Sequence, residues 1–544
     1  MKKRLISLFL IVSMMGMSAV CAGAAELDEA DTGSEFEGAI VAADYSEVGS
    51  ELVPTSELPS YYSSRDEGFV TPARRQQYNT CWAYSSTASL ETLMIKNNKN
   101  IEHLSTMHMN YWGCSTDHGT GWQRSYSAAG YPYIALGYLT SFGAIENSLF
   151  SESMSKSDYD ATIDKLYPYV GVNSIIYLTG SDRDTIKTAV YEYGAAIGNF
   201  HYNTSYMTSD NISYYCDVEG LATSELNGHA IEIVGWDDSY SKENFVADHR
   251  PSSNGAWLCK NSWGPTYGDN GYFWISYEDE YLFEKRFGPS YTIKGFNDMT
   301  AVREVKQNEI YGSTYEFNYI KALRPLMSKM TYVNVFDFSD GYHNIEQVVF
   351  ESTSEGSAYS VYYIPVDESG VPTADTDSWK LLATGTVGYQ GYHSVDVSYN
   401  APKSKGAIGV QIEKNADGNF GIGSDEWLSK SSTYLFKPDS TYGQSYLIGY
   451  DTAPMDVMTF YNNERNDAVG GTFVIKALCS SDDVEGDVGR DGTLDITDAT
   501  LTQRTLAEMV TLSDIQKRFA DFNNDGYVEI TDATLMQRRL AGYV

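Results

Sequence analysis

From Thr80 to Asn97 the run TCWAYSSTASLETLMIKN spaces its apolar residues as a helix does, and Asn79 and Thr80 are residue types that cap a helix start. Later runs, HAIEIVGWDD and GAWLCKNSWG, are apolar stretches ending in turn residues, as buried strands are. Helices first and strands later, over residues 58–292, predict an α+β domain. Between 299 and 479 the pattern changes to short alternating runs, IEQVVFESTS, AYSVYYIPVDESG and HSVDVSYNAPKSKGAIGVQIEKN, with turn residues every ten or so positions. That period of two predicts an all-β sandwich. Residues 480–485 read as a linker. Residues 486–544 hold an internal repeat, GRDGTLDITDATLTQRTLA against NNDGYVEITDATLMQRRLA, offset by 34 residues. Each copy is a polar loop followed by one helical run, so this last module is expected to be small and all-α. The chain is multidomain on this reading, as its 544 residues require.

The N-terminus is of a different kind. Met1, Lys2, Lys3 and Arg4 precede an apolar stretch from Leu5 to Met17, and small residues follow through Ala25. This is a secretory signal peptide over residues 1–24 with an Ala-x-Ala cleavage site, its apolar run being too short to span a membrane. Cys21 follows Val20, a poor fit to a lipoprotein signal. Residues 25–57 are acidic with little periodicity and read as a leader or short pro-segment. No later segment is long and apolar enough for a bilayer, so a secreted, extracellular protein is expected. Asp and Glu number 73 against 38 Lys and Arg, a formal charge of −35, which excludes nucleic acid and anionic membranes as natural partners. Six cysteines are too few in this length for a disulfide scaffold. Whether Cys114 and Cys216 pair stays open, and Cys259 reads as an inert core thiol.

One cysteine calls for its own explanation. Cys81 stands where the helical pattern begins, facing the positive end of a helix dipole and free backbone N–H groups, which favour thiolate. It needs a base, and the base needs a third group to fix its tautomer. His229, at the mouth of a buried strand, and Asn261, in WLCKNSWGPTYGDNGYFWISY, supply both. No HExxH spacing accompanies the other histidines, so zinc catalysis is not expected and catalysis calls for no cofactor.

These segments, LPSYYSSRDEGFVTPARRQQYNTCWAYS, GHAIEIVGW and KNSWGPTYGDNGYFWISY, resemble the papain family of cysteine peptidases in type and order. The spacing of 148 residues from Cys81 to His229 fits that family. The resemblance implies a papain-like fold and hydrolysis of protein or peptide substrates, with Cys81, His229 and Asn261 catalytic. It implies an oxyanion-hole glutamine shortly before the cysteine. The family's usual position holds Arg75, so Gln76 takes the role, with Gln77 as the alternative. By the same resemblance Trp263 shields the histidine–asparagine bond from water and Gly130 lets substrate backbone approach.

The β-rich middle, around TYVNVFDFSDGYHNIEQVVFES, resembles the lectin-like sandwich that follows the catalytic domain in some bacterial relatives. Its tyrosines, Tyr359, Tyr362 and Tyr363 among them, are candidates for stacking on carbohydrate or peptide. In the terminal repeat the loops carry oxygen donors at the spacing of a calcium site. The second offers Asp521, Asn523, Asp525, Tyr527, Glu529 and Asp532; the first offers Asp487, Asp491, Thr493, Asp495 and Asp498, with Gly489 where the third ligand would stand. Two Ca2+ sites are expected, the first weaker or completed by water. A loop followed by one helix, twice, without entering helices, resembles a type I dockerin. That implies docking to a cohesin on a scaffoldin through Ile496 and Thr497, or Ile530 and Thr531, as in a cellulosome serving polysaccharide breakdown. A scaffold- or surface-associated cysteine endopeptidase is the reading. Its rival is a non-catalytic adhesin, binding carbohydrate or protein, on a degenerate peptidase fold.

Overall fold

A computed structural model of the chain describes residues 40–44 and 52–543, except 115–123, 131, 164–165, 167, 222–224, 226, 284–289, 300–302, 306–320, 326–328, 340–341, 353–354, 414, 417–420, 429–441, 450–452, 460–467, 482–483, 490–492, 508, 513 and 524. The expected signal peptide with Cys21, most of the leader, and Asp491 lie outside the described residues. No helix among them is long and apolar enough to cross a membrane.

The peptidase part is built on the helix Cys81–Lys96, which is buried on every side from Trp82 to Met94. A helix without a polar face is a core helix. It ends at Asn97, beyond which Asn98 turns at a φ of +62°. Helices Thr106–Trp112 and Pro132–Ser141 pack with it in one apolar cluster. Against its other side runs the strand Gly228–Asp237, buried from His229 to Trp236 as a strand covered on both faces must be. That strand pairs antiparallel with Ala196–His201 on one side and Ala256–Lys260 on the other. Tyr272–Ser276 extends the sheet past Ala256–Lys260. The order of helices before strands bears out the α+β expectation.

The middle part is the expected sandwich. One sheet runs Lys380–Thr386, Ala358–Ile364, Lys405–Glu413, Lys329–Asp337, Ser445–Ile448 and Met455–Asp456. The facing sheet has Tyr342–Ser352 between Gly391–Asn400 and Ile475–Ser481. Tyr332, Val410, Val348, Phe350 and Ile475 fill the space between them.

The two parts share one sheet, which the sequence reading did not anticipate. The strand Tyr291–Asp298 pairs with Val170–Tyr177, so the peptidase sheet continues beyond the expected boundary at 292. Val170–Tyr177 then receives Gly391 and Tyr392 of the sandwich, opposite Ile176 and Ile175. Tyr392, Val349, Val474 and Leu478 join the apolar cluster of the peptidase helices. Tyr177 donates its hydroxyl to Glu351 at 2.6 Å, and Lys476 reaches the carbonyl of Thr140.

The last module holds helices Ile496–Leu506 and Ile530–Leu540, packed together over Val488, Ala499, Phe519 and Met536. A short helix, Asp514–Ala520, precedes the second loop. This corrects the expectation of no entering helix, which missed it because the seven residues DIQKRFA give too little periodicity.

Gly391 is the tightest point of the shared sheet. Its φ is +132°, and a Cβ there would lie 2.1 Å from the carbonyl oxygen of Ile175. Gly391→Ala is therefore expected to destabilise the chain by about 2 kcal/mol or more. Thermal melting beside the wild type checks this, and an unchanged midpoint would show that the strand junction carries no stability.

Candidate active site

Cys81 opens its helix and is a half-buried free thiol. Thr80 occupies the cap position but does not cap: its hydroxyl goes back to the carbonyl of Gln77. The N–H groups of Ala83 and Tyr84 donate to the Thr80 carbonyl, while those of Cys81 and Trp82 bear on the thiol. Burial pushes the Cys81 thiol up from its ordinary value, while the backbone groups of Ala230, Trp82 and Cys81 itself pull it down. Ala230 follows His229 directly, so the sulfur lies against the histidine strand.

His229 is buried near the start of that strand, and its Nε2 meets Asn261 Oδ1 at 2.9 Å. An amide oxygen can only accept, so Nε2 carries the hydrogen and Nδ1 is the nitrogen that can serve the thiol. The backbone N–H of Ser262 donates to the same oxygen at 2.7 Å. Trp263 lies flat on the imidazole, ring centroids 4.6 Å apart and planes 26° from parallel. This dry setting lowers His229 to about 4, against which the Asn261 contact pulls upward.

The loop before the nucleophile is zipped to the asparagine segment. Gln76 N–H donates to Ser262 O at 2.7 Å, Gly264 N–H donates to Arg74 O at 3.0 Å, and Arg75 bridges Trp263. This ladder separates the two glutamines left open by the sequence. Gln76 takes the Ser262 hydroxyl on its amide oxygen at 2.6 Å and gives its amide N–H to Tyr78 O at 2.9 Å. Gln77 points away, its amide reaching Glu152 O at 3.2 Å. Tyr78, directly after the two glutamines, turns the chain at a φ of +56°. Gly130 packs on the tryptophan after the nucleophile, where a Cβ would come within 2.5 Å of Trp82 Nε1.

Behind these residues lies a group that the sequence reading passed over. Glu91 on the Cys81–Lys96 helix is fully buried, with Arg74 at 3.4 Å, His103 at 3.4 Å and Thr71 as partners. Burial alone would raise its carboxyl, but His103, Arg74 and Lys260 hold it below the usual range. Glu232, three residues after His229, faces Lys260 at 3.2 Å and Thr92 at 2.7 Å, and burial raises its carboxyl. A cavity of about 20 Å3, lined by Glu91, Glu232, Lys260 and Asn261, has room for about one water. The only signal in the sequence was Glu91 inside an otherwise apolar helical face.

In the last module Asp495 and Asp498 form a capping box on one helix, as Glu529 and Asp532 do on the other. The twelfth loop residues also close their loops, Asp498 accepting Gly489 N–H at 2.8 Å and Asp532 accepting Asn523 N–H at 3.2 Å. Asp521 accepts the N–H groups of Asp525 and Gly526 at 3.0 and 2.8 Å. Asn523 and Asp525 bond each other, Tyr527 donates its N–H to Asp525, and Asp487 is buried. Thr493 is exposed, with Asp491 outside the described residues. Among the described residues no three acidic, histidine or cysteine side chains converge on a metal point, and no basic side chain pairs with the buried Asp521 or Asp532. Hard oxygen donors buried without a counter-charge fit a divalent cation taken up together with loop carbonyls. Ile496 and Ile530 stand 57% and 58% exposed at the two helix starts, each followed by an exposed threonine. In the sandwich the half-buried Tyr359 meets Phe350, the half-buried Tyr362 meets Trp379 and the buried Tyr363 meets Tyr399. Cys114 and Cys216 are both buried and are not joined to each other.

Comparison with known proteins follows the same division. The model of the papain family cysteine protease matches residues 58–287, the lectin-like domain 310–478 and the dockerin type I domain 485–541. A clostridial cysteine protease, Cwp84, solved after propeptide cleavage, is 31% identical, with a TM-score of 0.66 over 78% of this chain and 100% of that one. The chain belongs to the papain family of cysteine proteases. A second structure, of the cysteine protease and lectin-like domains of Cwp84, a surface layer associated protein of Clostridium difficile, is 30% identical with a TM-score of 0.67 over 80% of this chain and 90% of that one. Among curated relatives, oryzain gamma chain of Oryza sativa subsp. japonica is 26% identical and cathepsin J of Mus musculus 29%, each over 40% of this chain. The matches span 54% and 60% of those relatives' own lengths. Type I dockerins generally bind calcium, and this papain-family chain carries one after its lectin-like domain.

The stacked indole gives a prediction with a sign. Trp263→Ala admits water to the imidazole, so the His229 pKa is expected to rise from about 4 toward its ordinary 6.5. An NMR titration of the ring checks it; a pKa that stayed near 4 would mean that Trp263 does not provide the dryness.

Proposed function

We propose that the chain is a secreted cysteine endopeptidase, with Cys81 as nucleophile, His229 as base and Asn261 as the group that orients the histidine. The observation that carries this is the buried 2.9 Å contact between His229 and Asn261 under Trp263, set against the N-terminus of the Cys81 helix.

The chemistry follows from the atoms. Burial favours a neutral thiol and a neutral imidazole at rest, whereas helix N–H groups and Asn261 favour the charged pair. The Cys81 proton passes to His229 Nδ1 as the sulfur attacks a peptide carbonyl. The developing oxyanion is received by the Cys81 N–H and the Gln76 amide, the latter held ready by Ser262. His229 then protonates the leaving amine, and water, deprotonated by the same ring, hydrolyses the thioester. Gly130 and Trp263 border the channel through which the substrate backbone enters on this reading.

The dockerin tethers the enzyme to a cohesin-bearing scaffold of cellulosome type. Ile496 and Thr497, or Ile530 and Thr531, make the contact, an assignment supported by their equivalent exposed placement. Two calcium ions would be held by Asp487, Asp491, Thr493, Asp495 and Asp498, and by Asp521, Asn523, Asp525, Tyr527, Glu529 and Asp532. The ion supplies the positive charge that closes each acidic loop.

Two results are expected. Cys81→Ala loses peptide hydrolysis by at least about 1000-fold, and an epoxide thiol reagent labels the wild type once, at Cys81. A folded wild type that neither hydrolyses peptides nor takes the label would favour the adhesin reading. Binding of the full chain to an immobilised cohesin is expected to vanish on chelation and return with added Ca2+; binding that survives chelation would remove calcium from the docking step.

A further inference from the structure

Asn261 must present its oxygen to His229. An amide turned over would place an N–H against Nε2 and force the imidazole proton onto Nδ1, where it would block proton transfer from the thiol. The oxygen is held by two contacts, to His229 and to the Ser262 N–H. The nitrogen end is buried and completes no hydrogen bond among the described residues. The same is true of one nearby group, the hydroxyl of Tyr267.

Tyr267 lies six residues after Asn261 in a cluster of rings. Its ring meets Trp263 edge-on at 4.9 Å and Phe273 at 5.9 Å, while Tyr202 meets Trp263 edge-on at 4.8 Å. Phenylalanine would fill that place equally well, so packing does not account for a hydroxyl whose oxygen is shut off from water. The Asn261 amide and the Tyr202 hydroxyl both bear on the Tyr267 phenol, which burial keeps well above the ordinary range and hence neutral. A neutral phenol can accept from one neighbour while donating to another. Hydrogen bonds around a catalytic site are often long at rest and tighten with substrate.

We propose that Tyr267 is a positioning residue: its hydroxyl oxygen accepts the Asn261 amide N–H and its proton is given to Tyr202, locking the amide with its oxygen toward His229. The inference rests on the peptidase reading above and assigns the hydroxyl, not the ring, to the work. Tyr202 is the far end of the relay and Asn261 its target.

The test is Tyr267→Phe in the full chain, with rates expressed per active site titrated by the epoxide reagent, so that misfolded molecules do not count. The expected result is a fall in kcat of roughly ten-fold with KM within about two-fold. The alkaline limb of the pH profile should move to lower pH, because an imidazolium that loses its aligned oxygen gives up its proton more readily. In an Asn261→Ala background the same substitution should add nothing, since no amide remains to be aligned. Unchanged kcat and pH limbs, or losses that multiply in the double variant, would overturn the inference while leaving the peptidase reading intact. A wild type with neither label nor hydrolysis would remove both.

Discussion

The contact between the helix Cys81–Lys96 and the strand Gly228–Asp237 is the constraint on which the rest depends. It brings the sulfur at the head of the helix against the backbone after His229, from two elements 148 residues apart from Cys81 to His229. The helix carries Glu91 into this contact and the strand carries Glu232, two carboxylates buried side by side. Such a pair repels and is poorly solvated, so it persists only with compensation. Lys260 provides it from the next strand, directly opposite Glu232 in register, with Arg74 and His103 closing round Glu91. Lys260 is also the residue before Asn261. The charge pairing that lets helix and strand meet therefore fixes the height of the asparagine beside the histidine.

A second constraint works from the other side. The ladder between residues 74–76 and 262–264 ties the loop before the nucleophile to the segment after Asn261. Gln76, Ser262 and Trp263 are thereby placed by backbone bonds as well as by their side-chain contacts. Register in a ladder is discrete, so the chain that leaves it at Gln76 must turn to reach the helix at Cys81. Tyr78, at positive φ, makes that turn.

These two constraints also explain what could be read from the sequence. Cys81, His229 and Asn261 were legible because thiol, imidazole and amide are chemical requirements that few other residues meet, and their segments keep recognisable surroundings. The different placement of Gln76 and Gln77 was not legible, since it depends on a ladder partner nearly two hundred residues away. Glu91 and Glu232 were hidden because a carboxylate in an apolar run says nothing of the distant Lys260 and Arg74 that hold it. The ring partners of Tyr359, Tyr362 and Tyr363 were not legible either, since Phe350, Trp379 and Tyr399 come from other strands and loops. The shared sheet was invisible for the same reason: Gly391 and Tyr392 join Ile175 and Ile176 across more than two hundred residues.

The acidic repeat works by the opposite logic, with every contact local. Asp498 and Asp532 each serve twice, accepting the backbone N–H that closes the loop and completing the capping box of the helix that follows. Loop closure and helix start are therefore one event. A cation drawing on that carboxylate would compete with neither role, because an ionised carboxylate has about four lone-pair directions. It would instead offset the charge of Asp521, which accepts the backbone N–H groups of Asp525 and Gly526. Ile496 and Ile530 sit at the residue directly after each capping aspartate or glutamate, so the surface they present is set by the same closure. A single side chain in each loop thus links the closure of the loop to the placement of the exposed isoleucine after it.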